Sequence, residues 1–339
     1  MRIRFLQDSD LDGLMALAQA AGVGVTTLSA DPQRLAARIA ASTQSVEAVR
    51  ISRCQLLFFV LEDETTGALV GTSGIEAAIG MHDTWYNYRV GLAVHASREL
   101  EIYKQLTTLF FKFGPDRRVG IVLFVFCCRI GAKTVMAVCY RAAAFLFMAE
   151  FPERFSERVI AEMRGVSDEN GRSPFWESLG RHFFKMDFAR ADFLSYVGDK
   201  SFIAELMPSY PIYTCLLSEE AQAAIGEVHP GTRPARKLLE GEGFRYSGYV
   251  DIFDAGPSLE SPLKDIRAIR DSRLYQALAV NAEPKGGVPW LVSNRKLGSF
   301  KCALAQTRPL EDSLPLTAAV LARLEVEDGD VVRAVPLSA

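Results

Sequence analysis

The sequence predicts an α+β protein that ends in a smaller β-rich unit. Three observations carry that reading. The chain opens with a strand and a capped helix, an antiparallel hairpin follows, and beyond Gly256-Pro257 the composition changes to short β-like pieces. Residues 1–257 are expected to form the main domain and residues 258–339 the second.

Each element has a local cause. Ile3-Arg4-Phe5 alternates as a short strand, and Asp8 or Ser9 can cap a helix in which Leu11, Leu14, Met15 and Ala18 recur at helical spacing. Leu57 to Leu61 is an apolar run that meets the turn residues Asp63-Glu64-Thr65-Thr66-Gly67. Ala68-Leu69-Val70-Gly71 resumes after it, which makes a hairpin. Trp85-Tyr86-Asn87-Tyr88-Arg89-Val90 continues the sheet by alternating aromatic and polar residues, and Arg158 to Arg164 reads as another strand. Ser173-Pro174-Phe175-Trp176 starts a capped helix with proline in its first turn. Pro234 opens a short helix that ends at Glu242-Gly243-Phe244, while Trp290-Leu291-Val292 and Val331 to Val335 are late strands.

Composition narrows the function. At 339 residues the chain exceeds one small core, and 49% hydrophobic with 23% charged residues describes a soluble globular protein. A formal charge of −3 gives no footprint for nucleic acid, and no apolar leader follows Met1, so a cytoplasmic location with no membrane partner is expected. Six cysteines without a CxxC spacing and four histidines without HxxxH or HExxH imply no metal.

The stretches Val94 to Leu100, Ala161 to Gly165, Ser173 to Trp176, Ile203 to Pro208, Tyr210 to Tyr213, Val228-His229-Pro230 and Tyr249 to Pro257 together resemble arginine N-succinyltransferase. The likeness runs over nearly the whole chain, and Tyr86-Asn87-Tyr88-Arg89 is more similar to the arginine enzyme, or to the β subunit of arginine/ornithine succinyltransferase, than to the α subunit. It implies an acyl-CoA N-acyltransferase (GNAT-like) fold and transfer of a succinyl group from succinyl-CoA to the α-amine of arginine. Succinyl-CoA is then a co-substrate, with no permanently bound cofactor, and a homo- or hetero-oligomer is compatible with it. The alternatives are an ornithine-preferring subunit and a catalytically impaired chain.

That chemistry needs a proton-transfer group near neutrality and donors for the oxyanion. Taken alone, His229 is either a turn histidine or such a group; the resemblance implies catalysis, as the matching histidine is the family's proton donor. Pro230 keeps His229 out of the helical conformation. Arg89 is a candidate for the free succinyl carboxylate, with Tyr88 beside it. Asp251, Asp254 and Glu205 are candidates for the substrate guanidinium, against the simpler reading of strand-end caps. Phe175 and Trp176 read as core, and His95 and His182 as structural.

One stretch departs from the resemblance. Residues 112–144 hold no acidic side chain after Asp116 but contain Arg117, Arg118, Arg129, Lys133 and Arg141. Ile121 to Cys128 is too short for a membrane span, which needs about 20 apolar residues, and reads as a buried strand. Reading the implied codons of Lys112 to about Phe126 one base later permits SSDLTGASELCSLF, and reading Cys127 to Ala144 two bases later permits LPDWRENGHGRLLSRCR; both are similar to the family's segment here. A shifted frame is therefore compatible with this stretch. In N-acyltransferases an RxxGxG loop at this place turns backbone N–H groups toward the CoA pyrophosphate. The chain has Arg129-Ile130-Gly131-Ala132-Lys133-Thr134 there, which makes Arg129 and Gly131 the candidates for CoA binding.

Overall fold

The computed structural model describes residues 1–21, 30–47, 56–77, 85–113, 120–127, 134–197 and 201–337. In chain order the elements are β1 (Arg2–Phe5), α1 (Leu11–Ala21), α2 (Pro32–Glu47), β2 (Leu56–Glu62), β3 (Leu69–Glu76), β4 (Tyr86–Ser97), β5 (Ile102–Phe113), β6 (Gly120–Cys127), α3 (Thr134–Glu150) and β7 (Arg158–Glu162). They continue with α4 (Arg181–Phe184), α5 (Phe188–Val197), α6 (Ser201–Leu206), β8 (Ile212–Tyr213), α7 (Glu219–Ala224), α8 (Arg233–Gly241), β9 (Arg245–Asp251) and β10 (Pro257–Pro262). The C-terminal part holds α9 (Arg267–Arg270), β11 (Arg273–Val280), β12 (Val288–Ser293), β13 (Lys301–Thr307), β14 (Ser313–Thr317), α10 (Ala318–Leu324) and β15 (Val331–Pro336).

The strands form one mixed sheet in the order β14-β11-β15-β12-β13-β1-β2-β3-β6-β7-β10-β9-β4-β5-β8. β1 joins its halves, because Ile3 faces Leu61 of β2 on one side and Cys302 of β13 on the other. The C-terminal unit therefore continues the main sheet. The expected boundary at residue 257 falls at the start of β10, which pairs with β7 and β9, so the chain leaves the N-terminal half only after that strand. At the junction Glu150, at the end of α3, receives Arg295 at 2.5 Å and Arg333 at 2.8 Å.

Most pairs are antiparallel. β6 and β7 are parallel, linked by α3, and share only the register Gly120 to Arg158, Ile121 to Val159 and Val122 to Ile160. β6 then keeps its pairing with β3 as far as Cys127 and Gly71, while Ala161 and Glu162 pair only with β10. The two strands part beyond Val122 and Ile160, which opens a wedge in the middle of the sheet.

Period-2 alternation decides which face each core covers. Phe5, Phe59 and Phe300 pack against Phe147 of α3, with Phe5 and Phe59 stacked at 4.9 Å between ring centroids. Phe58 and Val60 lie on the other face, under α1 and α2. A second core gathers Tyr88, Leu109, Phe175, Trp176 and Val250 around β4, β5 and β9. The expected capped helix at Ser173 begins there, with Ser173 Oγ accepting the N–H of Trp176, and includes a π turn over Trp176–Gly180 before α4.

Candidate functional site

β7 leads into Met163-Arg164-Gly165, and a turn that begins at Asp251, the last residue of β9, holds that end in place. Asp251 Oδ1 accepts the N–H groups of Phe253 at 2.7 Å and Asp254 at 3.1 Å. Asp254 then reaches across: its Oδ2 accepts from Gly165 N–H at 2.6 Å and its Oδ1 from Gly256 N–H at 2.8 Å. Both glycines are required by close approach. A Cβ on Gly165 would lie 2.4 Å from the Asp254 carbonyl oxygen, and one on Gly256 would lie 2.1 Å from that of Met163.

The same turn positions the segment that carries His229. Ala255 takes a left-handed φ of 56° and its carbonyl accepts from Gly226 N–H at 2.9 Å. Three residues on, His229 N–H donates to the Arg164 carbonyl at 2.9 Å. His229 lies therefore just past the end of β7. Its Nδ1 accepts the N–H of Gly231 at 3.1 Å, so the neutral ring carries its proton on Nε2. Burial and the positive charge of Arg164 hold its pKa below the usual histidine value. Arg164 itself donates to Ser167 Oγ at 2.9 Å. Pro230 and the single tight turn Pro230–Thr232 lead from His229 into α8.

On β4 the register separates the remaining candidates. Asn87 pairs with Asp251 and Arg89 with Tyr249, so these four residues share one face of the sheet. Trp85 belongs to that face; its indole N–H donates to Glu162 on β7, and its ring lies 6.5 Å from that of Tyr249. Arg89 is exposed. Asn87 is buried, and among the described residues its Oδ1 has no hydrogen-bond partner. Burial pushes the Asp251 carboxyl up, and the N–H donors of the turn pull it back.

Tyr88 faces the other way. It is fully buried among the second core, donates its hydroxyl to Met207 Sδ at 3.3 Å, and has its pKa raised by burial. Phe175 and Trp176 are fully buried there as well. Glu205 is exposed on α6, and His95 is exposed with its ring bonded to the Tyr213 hydroxyl at 3.1 Å. Arg129 and Gly131 lie outside the described residues. Sequence reasoning passed over the Arg164 carbonyl, Trp85 and Glu162. The one signal available for them was their place at the ends of β7 and β4.

Among the described residues no group of three or more His, Cys, Asp or Glu side chains is placed to hold a metal, and no helix is long and apolar enough to cross a membrane.

Comparison with known proteins places the chain. The family model for the arginine N-succinyltransferase beta subunit matches residues 1–268, and that for its C-terminal domain matches residues 273–336. The chain belongs to this family. An arginine N-succinyltransferase from Enterobacter sp. strain 638 is 48% identical over 337 residues, which is 99% of this chain and 98% of the relative. One from Escherichia coli O139:H28 is 47% identical over 340 residues, covering 100% and 98%. Among solved structures, arginine/ornithine succinyltransferase subunit AI from Pseudomonas aeruginosa superposes with a TM-score of 0.91 at 34% identity, covering 100% of this chain and 99% of that one.

Proposed function

We propose that this chain is a cytoplasmic N-acyltransferase of GNAT-like fold that moves the succinyl group of succinyl-CoA to the α-amine of L-arginine, giving N2-succinylarginine and CoA. The observation that carries the reading is the placement of His229. Its backbone is tied to Arg164 at the end of β7, one of the two parallel strands that part in mid-sheet. A gap between parting parallel strands exposes backbone N–H and C=O groups, which suits an extended thioester arm and a polarised carbonyl.

In direct transfer, the arginine nitrogen forms a bond to the succinyl carbonyl carbon, the C–S bond breaks, the nitrogen loses a proton and the sulfur gains one. His229 serves the sulfur end. Its neutral Nε2–H, the ring's available donor since Nδ1 is committed to Gly231, hydrogen-bonds the developing thiolate, while the proton that the sulfur gains is the one the amine nitrogen loses. Arg89, exposed on the face it shares with Tyr249 and Asp251, is positioned for the free carboxylate of the succinyl group as a bidentate partner. Asp251 lies on the same face as a candidate for the guanidinium. Arg129 and Gly131 are assigned to the CoA pyrophosphate from sequence. No metal enters this scheme.

Arginine is preferred here over ornithine because the relatives at 47–48% identity are named for arginine alone, whereas the arginine/ornithine neighbour is 34% identical. Measuring CoA thiol release with each amine tests the reading. Faster turnover of arginine is expected, and ornithine as the better substrate would overturn the assignment.

A further inference from the structure

β4 and β5 pair with each other along all twelve residues, yet the rest of the sheet holds only their base. β9 reaches β4 at Asn87 to Arg89, and β8 reaches β5 at Thr108 and Leu109. Among the described residues, no third strand pairs with residues 90–97 or 102–107. A two-stranded ribbon with both edges open is marginal in water and offers its backbone to another chain.

Its two faces are unequal. One carries His95, which is tied to Tyr213, and Thr214 Oγ1 also bonds the Thr107 carbonyl. The other continues the buried stripe that starts at Tyr88. By alternation it carries Leu92 and Val94 on β4, and Tyr103 on β5 opposite Ala96. Tyr88 is 0% exposed, but Leu92 is 68%, Val94 55% and Tyr103 66% exposed, and Leu100 at the tip is 69% exposed. The strand is patterned for burial along its whole length, while none of the described residues covers the outer half.

We infer that this ribbon is an interface and that its occupant is the same ribbon of a second copy of this chain. Four such side chains, Leu92, Val94, Tyr103 and Leu100, each exposing on the order of 100 Å² of apolar surface, supply about 400 Å². That is close to the apolar share of the ~800 Å² that each partner contributes to a standard interface. Charge selects the copy over an unlike partner. The tip holds Arg98 and Lys104 against Glu99 and Glu101, a sum of zero with both signs present. Across a two-fold axis such a patch can set each cation against an anion, which a uniformly acidic or basic partner could not exploit.

Sedimentation equilibrium of the full chain at about 10 µM is expected to give twice the 37.4 kDa of one chain. The double variant Leu92→Lys, Val94→Lys should sediment as a single chain with unchanged far-ultraviolet circular dichroism. A single-chain mass for the unaltered protein overturns the inference, including where an unlike polypeptide then restores a larger assembly. An unaltered mass in the charged variant overturns it as well. If the variant fails to fold, amide exchange on the unaltered protein decides: residues 90–97 and 102–107 should lose protection on dilution, and exchange independent of concentration would remove the ribbon from the interface.

Discussion

The main-chain N–H of His229 donates to the carbonyl oxygen of Arg164 at 2.9 Å, although 65 positions separate them, from 164 to 229. This bond places a titratable ring at the end of β7 while leaving the side chain free to act. Replacing His229 with alanine keeps the backbone bond, so the variant should fold normally and lose turnover by about a hundredfold or more. Steady-state release of CoA thiol measures this. A near-normal rate would remove His229 from the proposed mechanism.

The pH response follows from the same surroundings. Burial and the charge of Arg164 hold the native His229 pKa below its ordinary 6.5. The unfolded chain therefore takes up this proton first as pH falls. Above about 6.5 the group makes no difference to stability; below it stability declines, until pH has passed the lowered native value. The form with an Nδ1 acceptor and an Nε2–H is the neutral one, so the acid limb of kcat/KM is expected below pH 6.5. Urea unfolding at stepped pH, compared with His229→Gln, checks the first statement, and a pH–rate profile checks the second. An acid limb well above 6.5 would contradict the environment described for this ring.

Asp254 is expected to matter for stability as well as for turnover. It satisfies the buried N–H groups of Gly165 and Gly256. Asp254→Ala strands both donors, and each unpaired buried donor costs about 1–3 kcal/mol. A loss of roughly 2–4 kcal/mol in denaturant titration is expected, and because the turn also positions the His229 segment, kcat should fall in the folded fraction. A change within about 0.5 kcal/mol, the ordinary range for a surface substitution, would show that the turn holds without this carboxylate.

Much of this could be read from the sequence wherever the cause is local. Ile3-Arg4-Phe5, the hairpin around Asp63 to Gly67, and the helix ending at Glu242-Gly243-Phe244 all follow from alternation, turn residues and helical spacing within a few positions. What was not legible is non-local. The pairing of Ile3 with Cys302 carries one sheet across the N-terminal and C-terminal parts, and no short window contains both residues. The link from Asp254 to Gly165 spans 89 positions and depends on how closely two backbones approach. Alternation announced that Tyr88 and Arg89 face opposite ways, but not which face would be the core. Tyr88 is buried there, with its hydroxyl on Met207.

Arg89 makes a separable prediction because only one part of the donor carries a free carboxylate. A charge-assisted, bidentate contact is worth about 1.5–3 kcal/mol. Arg89→Ala should therefore lower kcat/KM for succinyl-CoA by roughly ten- to a hundredfold and leave any turnover of acetyl-CoA, which lacks that carboxylate, nearly unchanged. Equal losses on both donors would assign Arg89 a general structural role instead.

The CoA half of the reaction rests on residues 112–144, where the resemblance lapses. A phosphate-binding loop works by aiming successive backbone N–H groups at the diphosphate, and glycines allow that approach; the following helix adds its positive end. The chain has one glycine between Arg129 and Lys133 and keeps two cations that attract phosphate only as point charges. A version carrying the alternative frame across residues 112–144 should therefore bind CoA at least tenfold more tightly than the chain as it stands. Isothermal calorimetry of the two proteins makes the comparison, and sequencing the gene across codons 108 to 146 decides which is native. Equal affinities would mean that Arg129 and its neighbours hold the pyrophosphate without the second glycine.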